Sequence, residues 1–479
     1  MSLYVLLPIL AILVLFANLG RLKAATLPVA IAGLALAALL SAFHIGLDNS
    51  LLQGMAEFDG FASAFGTLLI VMTALAILLL ATPSGKTDIP RGEMAGLLIF
   101  SLTGALMLAS YTNLVMLFLG IEILSIPIYV LAGARKGDLG GNEAALKYFL
   151  NGSFATGILL FGIGLLYAGT GQFSLDGILH WSQANPGLHP LFHLGLLFLL
   201  FGLAFKVSAA PFHFWTPDVY EGAPTVVTAY MSTTVKIAAI AAFFRLLARA
   251  FPAAADRWGW ILVILAVLTL LIGNLGALAQ GGFKRLMAYS GISHAGYLLI
   301  ALLATGPVVA GVAGAAGGGG ALGASGAGGA AGALWLYAAA YAAATMIAFV
   351  VWARLEEAGD GDRIEAFAGL RTRSPFLAIV LAVAMLSLVG VPPLGGFIGK
   401  LFVFGNAVAQ GHIALVVFAV VMSAVGMAYY MRPVIQAWFH PAKVEGRITP
   451  GAAEVVVLAL CAIALFALAG APAAILGAF

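Results

Sequence analysis

The chain of 479 residues is 63% hydrophobic and only 9% charged, whereas an ordinary soluble domain is roughly 25% charged. This composition excludes a soluble globular fold, because a soluble core could not bury so much apolar surface. The net charge of +3 identifies no partner, since the placement of Lys and Arg matters more than their sum in a membrane protein. The single cysteine, Cys461, can form neither an intrachain disulfide nor a cysteine-ligated metal site. We therefore expect no redox centre on this chain.

Apolar runs long enough to cross a hydrocarbon layer of about 30 Å recur from one end of the chain to the other. They predict an all-α polytopic membrane protein of about fourteen transmembrane helices. The first run starts at Leu3 and has no basic segment before it, so we expect a retained helix rather than a signal peptide. The predicted spans are 3–20, 26–43, 61–81, 94–110, 113–133, 144–169, 191–216, 224–250, 258–279, 286–304, 333–353, 375–409, 412–431 and 453–475.

Two of the predicted helices carry helix breakers in their middles. The seventh contains Pro211, and the twelfth contains Pro392 and Pro393 among several glycines. Backbone freed at membrane depth is tolerated only where it is buried in protein or lines a hydrated cavity. A pair of broken helices at corresponding places also indicates inverted repeats around an ion path. We therefore predict two inverted five-helix repeats, each containing a broken helix.

The chain is accordingly divided into four parts. Three N-terminal helices occupy 1–93, the first repeat (helices four to eight) 94–250, the second repeat (helices nine to thirteen) 258–431, and the fourteenth helix 453–479. The second repeat includes a Gly/Ala-rich stretch at 305–332. It lacks the strand and the Lys-Ser/Thr of a phosphate-binding loop, so we interpret it as a flexible external linker.

Basic residues are distributed unequally between the two sets of connections. The connections after even-numbered helices hold Arg245, Arg249 and Arg257, and those after odd-numbered helices hold Arg21, Lys23, Lys86, Arg91, Arg135, Lys136, Lys284, Arg285, Arg354, Arg363, Arg371, Arg373, Arg432, Lys443 and Arg447. By the positive-inside rule, the odd connections are predicted to be cytoplasmic and both termini to face the outer side.

Four ionisable side chains lie deep within apolar runs: Glu122, Lys206, Lys236 and Lys400. Each opposes insertion by about 2.5 to 3.5 kcal/mol. They could pair internally and only fix helix packing, for example Glu122 with Lys206, but one carboxylate cannot neutralise three lysines. Burial disfavours a charged lysine and a nearby carboxylate favours it, so moving one partner makes the lysine release or take up a proton. The pattern favours a proton relay.

Weaker candidates flank these four. Lys147 follows Glu143 by four residues, and the two readings of Lys147, an ordinary ion pair and a relay member, both remain open. His213 follows the seventh-helix break and His294 lies in the tenth helix, and each could be a neutral, hydrogen-bonded histidine. His294 suits a relay better because of its titration range. Four further basic residues at helix ends are expected to extend to the membrane interfaces: Arg245, Arg249, Lys284 and Arg285.

Several long motifs resemble a known family. They are GIEILSIPIYVLAG, EAALKYFLNGSFATGILLFGIGLLY, GLAFKVSAAPFHFWTPDVYEGAPTVVTAYMSTTVKIAA, FKRLMAYSGISHAGY and LSLVGVPPLGGFIGKLFVF. They resemble the antiporter-like subunits of respiratory complex I, in particular the subunit N family of bacterial NADH:quinone oxidoreductase, the counterpart of mitochondrial NADH dehydrogenase subunit 2. The resemblance runs from the fourth helix to the thirteenth. Its charged positions fall on Glu122, Lys206, Lys236 and Lys400, and the Gly/Ala-rich stretch departs from the family pattern.

The resemblance implies a proton-translocating subunit in a bacterial cytoplasmic membrane. It implies partners in the membrane and peripheral arms of the complex, an indirect link to the quinone pool, contact with lipid and none with nucleic acid. NADH, flavin, iron–sulfur clusters and quinone are expected on other subunits, with no cofactor or metal on this chain. Distant quinone chemistry would shift a Glu122/Lys206 pair, and protons would pass through Lys236 to Lys400. The proline breaks would admit water to two half-channels.

Two other functions fit the same helix plan. A cation/proton antiporter subunit, or the membrane subunit of a related hydrogenase, would share the buried charges. A non-transporting scaffold would predict that neutral substitutions of all four buried charges preserve transport.

Overall fold

The described residues form a bundle of long helices. The computed structural model describes residues 3–19, 22–43, 52–82, 89–135, 137–185, 187, 189–305, 327–359, 363–444 and 446–476. Within these ranges the chain is all-α, without a strand. Three residues of the predicted cytoplasmic connections, Arg21, Lys86 and Lys136, lie outside the described residues. Most of the Gly/Ala-rich stretch, 306–326, also lies outside them.

The first half of the chain follows the predicted spans closely. Its helices are α1 (Leu3–Leu19), α2 (Thr26–Ala42), α3 (Gly60–Leu79), α4 (Arg91–Ser110), α5 (Leu114–Ala132), α6 (Leu139–Thr170), α7 (Leu175–Ala184), α8 (Pro190–Lys206), α9 (Thr216–Gly222), α10 (Thr225–Tyr230) and α11 (Lys236–Ala250). A π-helical turn, Met231–Val235, joins α10 to α11. The short helix α7 was not predicted.

The second half also follows the prediction. Its helices are α12 (Ala255–Leu278), α13 (Phe283–Leu303), α14 (Ala327–Glu357), α15 (Leu370–Arg373), α16 (Pro375–Val389), α17 (Gly395–Ala409), α18 (Ile413–Phe439), α19 (Ala452–Gly470) and α20 (Pro472–Leu476). Helix α14 begins within the stretch that was predicted to be a linker up to residue 332.

The count of membrane helices agrees with the sequence. In the described part of the chain, eleven helices are long and apolar enough to cross a membrane. The shorter apolar helices are α1 and the segments α8, α16 and α17. Because α8 and α16–α17 belong to the broken seventh and twelfth helices, the prediction of fourteen membrane helices is confirmed. The division into two inverted repeats stays a prediction.

Polar caps fix where several helices begin. The Asp59 side chain accepts a hydrogen bond from the Ala62 amide at 2.8 Å at the start of α3. Asn113 accepts one from the Val115 amide at 2.9 Å at the start of α5. Such caps satisfy amides that have no partner inside the helix. They place the first turn of each helix at the edge of the apolar layer.

The centre of the bundle is formed by three segments. The spans Thr225–Ala250, Phe283–Leu303 and Gly329–Glu357 are buried over nearly their whole length, whereas Lys23–Ala42 and Ala452–Gly470 expose most of theirs. Lys236 and His294 both lie on these central helices. The fold therefore surrounds them with protein rather than with lipid.

Candidate functional site

Lys206 is the last residue of α8, at the edge of the first helix break. The backbone turns after it, with Ser208 in the left-handed region at φ +63°. The Lys206 ammonium is buried and donates hydrogen bonds to Ser125 Oγ at 2.8 Å and to Tyr129 OH at 3.3 Å. It also lies 5.6 Å from the centroid of the Tyr129 ring. Helix α5 thus holds this cation through neutral hydroxyl groups.

Glu122 lies on the same helix as these hydroxyl groups but is not bonded to Lys206. Within the described chain, no ion pair or hydrogen bond joins the Glu122 carboxylate to that ammonium. Glu122 is half-buried, and its neighbours one turn away, Leu119 and Ile126, are exposed. The internal Glu122–Lys206 pair considered from the sequence is therefore not formed in this structure.

Lys236 begins α11, directly after the π-helical turn. Its side chain is only 2% exposed, and its ammonium donates a hydrogen bond to the Gly291 carbonyl at 2.6 Å. A Cβ at position 291 would lie 2.9 Å from the Lys236 Nζ atom, so any larger residue there would displace the lysine head group. A π turn shifts the helix register by one residue and is frequent at functional sites. The π-helical turn was not predicted from the sequence.

Lys400 lies on α17, just after the second helix break. Helix α16 ends at Val389, and Gly390 continues the chain with φ +92°. The Lys400 ammonium donates to the Val389 carbonyl at 2.8 Å and to the Leu388 carbonyl at 3.1 Å. Carbonyls at a helix end lack intrahelical partners and carry partial negative charge. The broken helix therefore supplies two of the oxygens that hold this cation, and Ser423 Oγ on α18, at 2.7 Å, supplies a third.

The break prolines themselves lie at the surface of the described chain. Pro211, Pro392 and Pro393 are exposed, whereas Val207 and Ala210 at the first break are buried. Water admission at these prolines remains a proposal. At the second break, the Val389 carbonyl at the end of α16 accepts a hydrogen bond from the buried Lys400 ammonium.

His294 is buried and bonded at both ring nitrogens. Its Nδ1 atom lies 2.6 Å from Tyr337 OH, and its Nε2 atom lies 2.9 Å from Tyr430 OH. The Tyr430 hydroxyl is in turn 2.5 Å from Ser290 Oγ. Because a hydroxyl can donate or accept, this row of groups can exchange its hydrogen-bond directions. The alternative of a neutral, hydrogen-bonded histidine describes the same contacts.

One face of α13 contacts two of the buried lysines, Lys236 and Lys400. Gly291, His294 and Tyr297 follow one another at intervals of three residues, which places them on adjacent turns of one face. Gly291 accepts the bond from Lys236, and the Tyr297 ring centroid lies 4.7 Å from the Lys400 ammonium. His294 lies between these two contacts. Lys236 and Lys400 thus both contact α13, the helix that carries His294.

Comparisons with known proteins agree with this architecture. A family profile described as NADH:quinone oxidoreductase/Mrp antiporter, TM, matches residues 111–315 and 320–426. The subunit N of NADH-quinone oxidoreductase from Cytophaga hutchinsonii is 40% identical over 80% of this chain and 78% of its own length. The subunit N from Geobacillus kaustophilus is 37% identical over 92% of this chain and 88% of its own. The chain belongs to the NADH-quinone oxidoreductase subunit N family.

Solved structures of membrane complexes have the same fold. A chain of respiratory complex I from Thermus thermophilus, solved with bound aureothin, is 33% identical with a TM-score of 0.79 and 99% coverage of both chains. A chain of the Mrp complex from Dietzia matches with a TM-score of 0.82 at 20% identity, which shows the shared fold alone. This member of the subunit N family is therefore a multi-pass membrane protein with the fold of that complex I chain.

Lys147 lies away from the buried row, at the predicted cytoplasmic end of the subunit. Its ammonium is 2.5 Å from Glu143 Oε1 and 2.6 Å from Asp218 Oδ2. Arg285 reaches the other oxygen of Asp218 at 2.8 Å. The expected pair with Glu143 is formed, and the structure adds Asp218 as a second partner. His213 is half-buried beside the first break.

The expectation that the helix-end cations extend to the interfaces is wrong for Arg245. This side chain is 4% exposed and bonds both carboxylate oxygens of Asp59 as well as the Ala109 carbonyl. Lys284 is also buried and donates to the Ala223 carbonyl at 2.6 Å. Partners distant in sequence, which a hydropathy pattern does not contain, hold these cations inside the protein.

Proposed function

We propose that this subunit translocates protons through Lys206, Lys236, His294 and Lys400 within a membrane-bound NADH:quinone oxidoreductase. The observation that carries the proposal is the face of α13, which links the Lys236 contact to the Lys400 contact through His294. The names of the relatives support the assignment to this enzyme. NADH, flavin, iron–sulfur clusters and quinone are assigned to other subunits, and this chain acts as a translocase part without redox chemistry.

The proposed transfer uses lysines that are held by neutral oxygens. An ammonium in oil is disfavoured unless its hydrogen bonds are satisfied. The carbonyls and hydroxyls around Lys236 and Lys400 accept a hydrogen bond from an ammonium and equally from a neutral amine. Each lysine therefore keeps its position when it gains or loses a proton, as a relay member must.

Glu122 is assigned the control of the first step. It precedes Ser125 by one turn on α5, so a small movement of the Lys206 side chain exchanges hydroxyl contacts for a carboxylate. The carboxylate favours the ammonium, and its loss favours proton release. Events at a distant quinone site would drive this exchange. The sequence-based orientation, with both termini outside a bacterial cytoplasmic membrane, completes the proposal.

The experiment uses the fully assembled complex in vesicles. We expect Lys206→Ala and Lys236→Ala to lower NADH-driven proton translocation by at least about tenfold, because one missing group interrupts the relay. Lys443→Ala is the matched control, since Lys443 is exposed in the connection after α18. Translocation at the wild-type ratio of protons to electrons in both interior variants would overturn the proposal. Co-purification of a hydrogenase or a small antiporter assembly instead of an NADH-oxidising arm would favour the alternative enzyme.

A further inference from the structure

Three buried hydroxyl groups, those of Thr234, Tyr341 and Thr345, have no hydrogen bond of good geometry in the described chain, although the Tyr341 and Thr345 hydroxyls lie close enough to interact with each other. Each of these side chains is at most 2% exposed. Buried polar groups in proteins are nearly always paired, with ordered water completing what protein atoms do not. Unpaired hydroxyls gathered on adjoining helices therefore indicate positions for water molecules.

Two of these hydroxyls lie in one row along α14. Tyr341, Thr345, Phe349 and Ala353 are spaced by four residues and Glu356 by three more, which places all five on one face. The row descends from the centre of the bundle to the predicted cytoplasmic end. A path along this face would therefore join the aqueous surface to the interior.

The inner end of the row reaches Lys236. The Lys236 ammonium lies 6.0 Å from the centroid of the Tyr341 ring. A Cβ built on Gly291 would lie 2.9 Å from the Lys236 Nζ atom and 3.2 Å from the Tyr341 hydroxyl. The amine and the phenol oxygen thus both lie beside Gly291. A water molecule between them would serve both groups.

The outer end of the row holds a small cavity and a carboxylate. The cavity lies between α3, α10, α14 and α19, has room for a single water molecule, and is lined by Thr225, Phe349, Ala353 and Glu454 among others. The Glu356 carboxylate accepts a hydrogen bond from Thr225 Oγ1 at 2.5 Å, and its side chain is 25% exposed. The Glu356 carboxylate is thus partly exposed and also contacts Thr225, a residue that lines the cavity.

The charges around this mouth suit a group that captures a proton and passes it on. Arg135 lies 3.2 Å from Glu356, and Lys284 is a further cation in its field. Across the cavity, Glu454 is paired with Arg354 at 3.2 Å. The cations stabilise the Glu356 anion, so a captured proton is released readily. Glu454 also lines the cavity, but its side chain is only 1% exposed and accepts a hydrogen bond from the Gly451 amide, so it cannot take a proton from bulk water and is left out of the path.

We propose that protons reach Lys236 from the cytoplasmic side along this face, from Glu356 through cavity water and past Thr345 and Tyr341. This uptake path rests on the proposed function and gives the relay a supply that does not use the break at Pro211. In the net step, Glu356 takes one proton from bulk water, water molecules carry a proton inward, and the Lys236 amine becomes an ammonium. The Phe349 ring, between the cavity and Thr345, closes the path until it moves.

The first test removes polar groups from the path. Thr345→Val keeps the shape of the side chain and removes its hydroxyl, and Glu356→Gln keeps an acceptor for Thr225. We expect each to lower NADH-driven proton translocation in the assembled complex by about fivefold. Thr156→Val and Glu221→Gln are matched controls, because Thr156 bonds only within its own helix and Glu221 is an exposed surface residue. Normal translocation in both path variants would overturn the uptake path.

The second test measures whether water reaches position 345. It does not require that the substitution itself lowers translocation. The complex carrying Thr345→Cys is exposed to Ag⁺ from the predicted cytoplasmic side, since this small cation travels where water does and binds thiolate. We expect Ag⁺ to inhibit it at least about tenfold faster than the wild type, whose Cys461 is buried, or a Thr156→Cys control. Equal inhibition of all three, at Ag⁺ concentrations that leave NADH oxidation by the iron–sulfur subunits unchanged, would overturn the path. Normal translocation by Lys236→Ala would instead overturn the relay itself.

Discussion

The cations of this subunit are held in two different ways. Near the two ends of the bundle several are paired with carboxylates, as in Arg245 with Asp59 and Lys147 with Asp218. In the interior, Lys206, Lys236 and Lys400 bond only to hydroxyls and backbone carbonyls of the described chain. The same side-chain chemistry thus occurs in two electrostatic settings.

The difference separates structural charges from transferable ones. A carboxylate partner fixes the charged form of a lysine or arginine and joins two segments of the chain. A carbonyl or hydroxyl holds the nitrogen in place without fixing its charge, because it accepts a hydrogen bond from either protonation form. We therefore expect substitutions at the ends to affect stability first and substitutions in the interior to affect transport first.

The largest expected effect on stability follows substitution of Arg245. Arg245→Met leaves Asp59 and two backbone carbonyls without their donor, so we expect a loss of about 3 to 5 kcal/mol. The yield of assembled complex and its temperature of dissociation measure this effect. Arg245→Lys, which keeps the charge but loses the paired geometry, should give an intermediate result. A Met variant as stable as the wild type would remove the distinction between the two groups of cations.

A smaller effect on stability is expected in the interior. Lys400→Met removes the cost of burying an amine but leaves the Leu388 and Val389 carbonyls without their donor, so stability should change by no more than about 1 kcal/mol. Proton translocation should nevertheless fall at least about tenfold. The same dissociation temperature and a vesicle assay measure both quantities. A variant that is destabilised as strongly as Arg245→Met would show that Lys400 serves mainly to hold the fold.

Most of the fold could be predicted from the sequence because the bilayer imposes one length on every apolar run. The breaks at Pro211 and at Pro392 also follow from local chemistry, since proline removes a backbone donor. Helix α7 escaped prediction because it is short and lies outside the membrane spans. The π-helical turn before Lys236 escaped because packing against neighbouring helices, rather than local sequence, decides it.

The site could be predicted only in part. Lys206, Lys236 and Lys400 stand out because a charge in an apolar run is rare. Their partners do not stand out, since Ser125 and Gly291 are common residue types in membrane helices and are distant in the chain from the lysines they contact. Arg245 was misplaced for the same reason. A single sequence contains the charges but not the contacts between helices that hold them.

A smaller effect is expected at Lys147. The sequence left two interpretations of this residue open, an ordinary ion pair and membership of the relay. Its side chain is 38% exposed and has two carboxylate partners, which is typical of a structural cation. Lys147→Gln should lower stability only slightly and leave translocation within about twofold of the wild type, because exposed ion pairs contribute little. Loss of translocation as severe as in Lys206→Ala, with stability retained, would make Lys147 a member of the relay.

The smallest effect is expected at Asp176 on α7, and it depends on pH. Hydrogen bonds from Arg249 lower the pKa of this carboxyl below its usual range, although the side chain is 53% exposed. A carboxyl with a lowered pKa stabilises the folded protein above its unfolded pKa of about 3.9, and this contribution is lost as the pH falls through the folded value. Asp176→Asn should therefore accelerate proteolysis between α6 and α8 at pH 7 and make no difference at a pH below both values. A difference that persists in acid would show that the contact stabilises the loop by shape rather than by charge.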